Sequence, residues 1–160
     1  MHKKKLVNRF VAAFAVVCFF LALPVSAAVT VTKSQDLSFG AFVPTSGSGT
    51  VTIPAEAAGV RTGSGVVLFM QGAGATGQSA VFSVSGGVAG NSCVITLSAA
   101  SLAGPGASMA ASLTSSPSGA IVLDGSGGGT IYVGGTLAVG AAQTAGSYSD
   151  TITVTVNSCQ

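Results

Sequence analysis

The sequence predicts an all-β fold, a sandwich or barrel of short strands, and three observations carry that expectation. The first is the run Gly146 to Val156, where Tyr148, Ile152, Val154 and Val156 are apolar and Ser149, Thr151, Thr153 and Thr155 are hydroxyls. Successive side chains of a strand point to opposite faces, so this period of two sets one face on a core and the other in water. The second is a series of short β-branched segments separated by Gly-, Ser- and Pro-rich turns. The third is the lack of a helical period over ten or more residues. The Ala-rich run 99–111 is interrupted by Gly104, Pro105 and Gly106.

The chain opens with Met1-His2-Lys3-Lys4-Lys5 and Arg9, then runs from Phe10 to Leu23 without a charge and reaches Pro24-Val25-Ser26-Ala27-Ala28. A basic start, a short apolar core and a small-residue exit are expected of a secretory signal peptide over residues 1–27. The uncharged run is shorter than the ~20 residues a spanning helix needs. Cleavage is expected after Ala27, with the bond after Ala28 as the alternative. Cys18 lies inside the apolar core behind Val16-Val17, which argues against a lipoprotein cysteine. Export to a periplasm, cell surface or medium, without a membrane span after cleavage, is therefore expected, and a Gram-negative bacterium as the source.

Removing the leader takes away Lys3, Lys4, Lys5, Arg9 and the only histidine. Lys33 and Arg61 then face Asp36, Glu56, Asp124 and Asp150, a formal balance of −2. Two basic residues offer no footprint for nucleic acid or for an anionic membrane surface. The remaining length suits one domain, 36–160, behind a short N-terminal extension, 28–35.

In chain order, Ala28 to Lys33 alternates, with Val29 and Val31 on one face. Leu37 and Phe39 share a face in the segment that Pro44 closes, and Gly49 to Ile53 is a strand closed by Pro54. Val66 to Met70 is apolar on both faces and is expected to be a doubly buried central strand. Ala80, Phe82 and Val84 point inward in the next strand, and Cys93 shares a face with Ile95 and Leu97. Met109, Ala111 and Leu113 make a weak strand, and Ile121 to Leu123 precedes the turn at Asp124-Gly125-Ser126-Gly127. Thr130 to Val133 and Thr136 to Val139 are expected to be two short strands joined at Gly134-Gly135. The long closing strand follows.

Cys93 and Cys159 survive processing, and an even count in an exported chain supports a disulfide. Unpaired thiols, or bonds between molecules, are the alternative. Cys159 has the parity of the water-facing threonines, so pairing requires the strand to end or bend near Asn157.

Residues for catalysis are missing. Without a histidine beyond the leader there is no Ser-His-Asp triad, Cys-His pair or imidazole metal site. The four carboxylates stand alone among turn residues and hydroxyls, unlike the facing pair of a glycosidase. Asp124 lacks the repeated acidic spacing of a calcium loop, and Gly125 to Gly129 lacks the Lys-Ser/Thr of a phosphate loop. Tyr132, opposite in parity to Ile131 and Val133, could stack on a sugar, although an exposed strand tyrosine is more often half of a cross-strand pair. No enzyme activity, metal or cofactor is expected.

Asp36-Leu37-Ser38-Phe39-Gly40 with Val43-Pro44, then Gly134 to Gly140, then Gly146-Ser147-Tyr148 leading to Thr151 to Asn157, resemble the bacterial DUF4402 family of domains of unknown function. The closing motif is also similar to that of chaperone–usher fimbrial subunits, and the segment behind the leader to their N-terminal extension. The resemblance implies an exported, antiparallel immunoglobulin-like β-sandwich, incomplete in the manner of a pilin and completed by a strand from a neighbour. Val29 and Val31 would then be the donated side chains, and Tyr148, Ile152, Val154 and Val156 would form the acceptor. The partners implied are copies of itself or other fimbrial subunits, with a periplasmic chaperone. The function expected is that of a structural or adhesive surface subunit associating by strand edges. The alternative is a self-contained secreted binding module for a carbohydrate or surface ligand.

Overall fold

A computed structural model describes residues 28–72 and 74–160. The signal-peptide reading falls on residues 1–27, outside the described residues. Twelve strands are present and no helix among the described residues: β1 (Thr30–Gln35), β2 (Phe42–Pro44), β3 (Gly49–Ile53), β4 (Thr62–Ser64), β5 (Val66–Leu68), β6 (Ala80–Ser85), β7 (Ser92–Leu97), β8 (Ala100–Leu102), β9 (Met109–Ser116), β10 (Ala120–Val122), β11 (Gly129–Val139) and β12 (Val154–Asn157). All pairings are antiparallel. The β-sandwich expected from the sequence is the architecture found.

The middle of the large sheet is β11, where the sequence pattern suggested two strands. One edge of β11 pairs with β6 over Gly129 to Val133 and then with β3 over Gly135 to Val139. The other edge pairs with β9 over Tyr132 to Leu137. Gly134 and Gly135 sit where β6 gives way to β3. A Cβ on Gly134 would lie 2.2 Å from the Ile53 carbonyl oxygen, and one on Gly135 would lie 2.6 Å from that of Ser112. These glycines therefore admit neighbouring backbone inside a strand rather than turning the chain.

The division of β11 makes two cores. Its first half, with β6 and β1, packs on the three-stranded sheet β10-β7-β12 through Ala80, Phe82, Val84, Cys93, Ile95, Ile121, Ile131 and Val133. Its second half curls with β3, β9 and β8 around Phe39, Val51, Ile53, Met109, Leu137 and Val139. The inward faces expected for β6 and β7 are those found, with Ala80 and Cys93 fully buried.

Two further expectations are corrected. Val66 to Met70 is not central: β5 pairs only with β2 in a small two-stranded sheet, and Val67, Phe69 and Met70 are exposed. A purely apolar run cannot show how many neighbours it has, and here only Val66 and Leu68 reach the second core. The long closing strand is likewise interrupted, and only Val154–Asn157 remains regular. Side chains replace backbone acceptors before it: Asp150 Oδ2 accepts from Ser101 N at 2.6 Å and Ser98 Oγ accepts from Thr153 N at 3.0 Å. Hydroxyls and an acid that read as a wet face thus compete with the ladder.

Cys93 and Cys159 form a disulfide. Strand β12 ends at Asn157, and Ser158 adopts φ 51°. That left-handed residue reverses the parity and turns Cys159 to the core side, as the bend required of the sequence demands.

Candidate functional site

Strand β1 forms the outer edge of the large sheet, with β6 as its partner strand in the register Thr30–Ser85, Val31–Val84 and Thr32–Ser83. Val29 and Val31 are half-buried against the first core. Ile152, Val154 and Val156 pack on that same core from the opposite sheet. The candidate donor residues and three of the four candidate acceptor residues therefore meet within one chain. Burial of alternate apolar side chains beside a main-chain ladder is what holds any added strand.

Tyr148, the fourth, stands elsewhere, against the second core. Its phenol donates to the Thr144 carbonyl at 2.9 Å and accepts from Gly106 N at 3.0 Å and Gln143 Nε2 at 2.8 Å. A tyrosine bonding a few residues back along its own chain resembles the tyrosine corner of immunoglobulin-like sandwiches, although here the next strand begins only at Val154. Gly104 makes room for the ring, because a Cβ there would lie 2.4 Å from Tyr148 Cδ1.

The corner closes one end of a cleft of about 820 Å³ that opens into the second core. One wall is the segment from Ser38 to Pro44, the other the segment from Gln143 to Ile152, and Leu102, Met109 and Leu113 lie between them. Going around the second core, the hydrogen-bonded neighbours run β4, β3, β11, β9, β8, and Ser149 pairs with Ala103 just beyond β8. At the far end of the curl stands β2, paired with β5. Among the described residues no backbone hydrogen bond crosses between the walls themselves, but just beyond them Ala142 N donates to the Thr45 carbonyl at 2.9 Å and ties the two segments together at one end.

Strand alternation shows what the walls present. Ser149 exchanges both bonds with Ala103, and the Thr153 carbonyl accepts from Ser98 N, so the backbone of Tyr148, Asp150 and Ile152 turns the other way. Phe69 N donates to the Ala41 carbonyl. That makes 41 and 69 a bonded pair, and it leaves Phe42, opposite Leu68, directed away from β5. Both free edges line the cleft.

Arg61 holds the first wall in place. Its side chain, buried at 8% exposure, donates from Nη1 to the carbonyls of Phe39 at 2.9 Å and Ala41 at 3.1 Å, and from Nη2 to the Phe69 carbonyl. Burial lowers its pKa from the ordinary arginine value, yet it stays charged at any working pH. Gly40, at φ 69°, lets the wall bend around the guanidinium; a Cβ there would lie 2.4 Å from Arg61 Nη1. The sequence reading missed this residue. Its one signal was isolation: beyond Ala28, Lys33 is the only other basic residue.

The carboxylates lie apart. Lys33 Nζ pairs with Asp36 Oδ1, with both side chains well exposed. Asp124 is held below the ordinary carboxylate range by the Ser126 hydroxyl first, then by the backbone N–H groups of Gly128 and Ser126. Asp150 is lowered by the backbone N–H groups of Ser101 and then Thr151. Groups lowered on folding contribute stability that is fully present above the unfolded value, about 3.9, and is lost as pH falls through the folded value. Thermal melts should therefore be flat above about pH 5 and decline only in acid. Asp150→Asn should make that acid decline shallower; an unchanged acid profile would show that the carboxylate's bonds do not form in solution.

Tyr132, the candidate sugar-stacking residue, is half-buried on the outer sheet face between Val81 and Ser116. It belongs to neither the flank nor the cleft. Residues 29–158 match the family model described as Domain of unknown function (DUF4402). No curated protein and no solved structure matches the chain significantly.

Proposed function

We propose that this chain, which belongs to the DUF4402 family, is an exported structural subunit of a surface assembly whose copies associate through β-strand edges. The observation that carries this reading is the flank where Val31 of β1, and Val29 just before it, pack with Val154 and Val156 on one core. Strand β1 lies at the outer edge of its sheet and enters it from the N-terminal side. Every contact it makes in its own chain can be made identically in a neighbour's, so exchange between copies costs little beyond release. Uncharged strand edges elsewhere, such as β12, add to the tendency to associate.

The test uses protein secreted into an oxidising periplasm, examined by size exclusion and on unboiled gels. The chain is expected to give a ladder, and a variant lacking Ala28 to Ser34 only a single species. Thr32→Cys with Ser83→Cys, exposed register partners, would lock β1 in place. The ladder should vanish in the locked variant and return on mild reduction. A monomer in every form would overturn the reading.

One observation favours a second reading, a self-contained binding module: the cleft beside Tyr148. Its volume of about 820 Å³ falls in the range of binding clefts, roughly 300–1,000 Å³.

A further inference from the structure

We infer that the cleft between the Ser38–Pro44 and Gln143–Ile152 segments binds one extended peptide strand, uncharged along its body and cationic at one end. The inference deepens the binding reading and does not depend on exchange of β1. Backbone chemistry specifies a strand. Phe42 on one wall and Tyr148, Asp150 and Ile152 on the other turn their N–H and C=O groups from their own sheet partners, and both edges line one cleft. An apolar molecule could cover the floor, but it would leave these donors and acceptors without partners as it displaced their water. An extended chain satisfies both edges at once.

Side-chain chemistry narrows the occupant. Half-buried Leu37, Phe42, Leu102, Leu113 and Ile152 line the interior, so alternate residues of the bound strand are apolar. Three charged residues line the cleft: Lys33, Asp36 and Asp150. Lys33 and Asp36 pair with each other, which leaves the Asp150 carboxylate as the uncompensated charge on the rim. A lysine or arginine at the end of the strand nearest Asp150 complements it. The Arg61 bonds to Phe39, Ala41 and Phe69 hold one wall ready, so little ordering remains for binding to impose.

The test uses the Thr32→Cys, Ser83→Cys variant, in which β1 cannot leave its place. The probe is a capped octapeptide of alternating valine and threonine with a lysine at one end only, made in both orientations. Its control is the same peptide N-methylated on the backbone at alternate residues. Amide exchange is read with and without about 1 mM peptide, the weak end of specific affinity. The amides of Phe42, Tyr148, Asp150 and Ile152 are expected to slow about tenfold or more, while the methylated peptide has no effect. Asp150→Asn should weaken binding about two- to fivefold, the size of an exposed ion pair. The inference fails if those four amides are unchanged, if the methylated peptide works equally well, or if protection appears only along β6 and β12. None of these outcomes alters the ladder experiment, so the two readings fail separately.

Discussion

Replacing Cys93 and Cys159 together with alanine is expected to remove about 4 kcal/mol of stability, the chain-entropy value for a loop of this length. The bond spans 66 positions, half the number of described residues. It ties β7, the middle strand of the smaller sheet, to residues just beyond β12. Backbone bonds between Ser92 and Gln160 at 2.7 and 3.0 Å hold the same point. Without the disulfide they would fray, since terminal strands are the first to open. Urea denaturation should show the midpoint falling by about 2 M for a slope of roughly 2 kcal/mol/M. A loss under about 1 kcal/mol would mean that the reduced chain keeps enough residual structure to make the constraint redundant.

Arg61→Met is expected to cost roughly 3 kcal/mol, although it removes a charge from an apolar setting. Hydrogen bonds from a charged donor are worth about 1.5–3 kcal/mol each, and this guanidinium makes three. The carbonyls of Phe39 and Phe69 would lose their donor together, while that of Ala41 would keep only Phe69 N. Partial access to water for the wall keeps the cost below the sum. Arg61→Lys should recover only part of the loss, because an ammonium lacks the planar fork that spans all three oxygens. Urea melts measure the cost, and amide exchange at Ala41 and Phe69 should quicken well beyond the change at β7. A neutral or stabilising result is the outcome known for some buried ions replaced by apolar groups; it would show that the carbonyls rehydrate freely.

How far the sequence could be read depended on whether local pattern or distant contact decided each element. Alternation located β6 and β7 with their inward faces, because each has one face on a core and one in water. Parity alone required a break before Cys159, which Ser158 supplies. Gly134-Gly135 read as a turn because a sequence cannot show that Ile53 and Ser112 crowd those positions from either side. Val66 to Met70 read as central because apolarity does not reveal the number of neighbours. The closing strand read as continuous, although Asp150 and Ser98 intercept its ladder. Val29 with Val31, and Ile152 with Val154 and Val156, were each legible as an apolar face from their spacing, but only the resemblance to fimbrial subunits implied that the two faces belong together. The cleft was not, since its walls are about a hundred residues apart and Arg61 joins three carbonyls without a local motif.

The central place of β11 bears on the timing of folding. Its edges take β3 and β6, made early in synthesis, and β9, made shortly before it. Until Gly129 to Val139 has emerged, β3 and β6 lack the neighbour that joins the two cores. Pairings so distant along the chain fold slowly. During that interval, uncharged segments such as Gly49–Ile53 and Ala80–Ser85 wait with their edges open to other nascent chains. A protein built this way gains from a holdase that covers those segments until the last fifth of the polypeptide arrives.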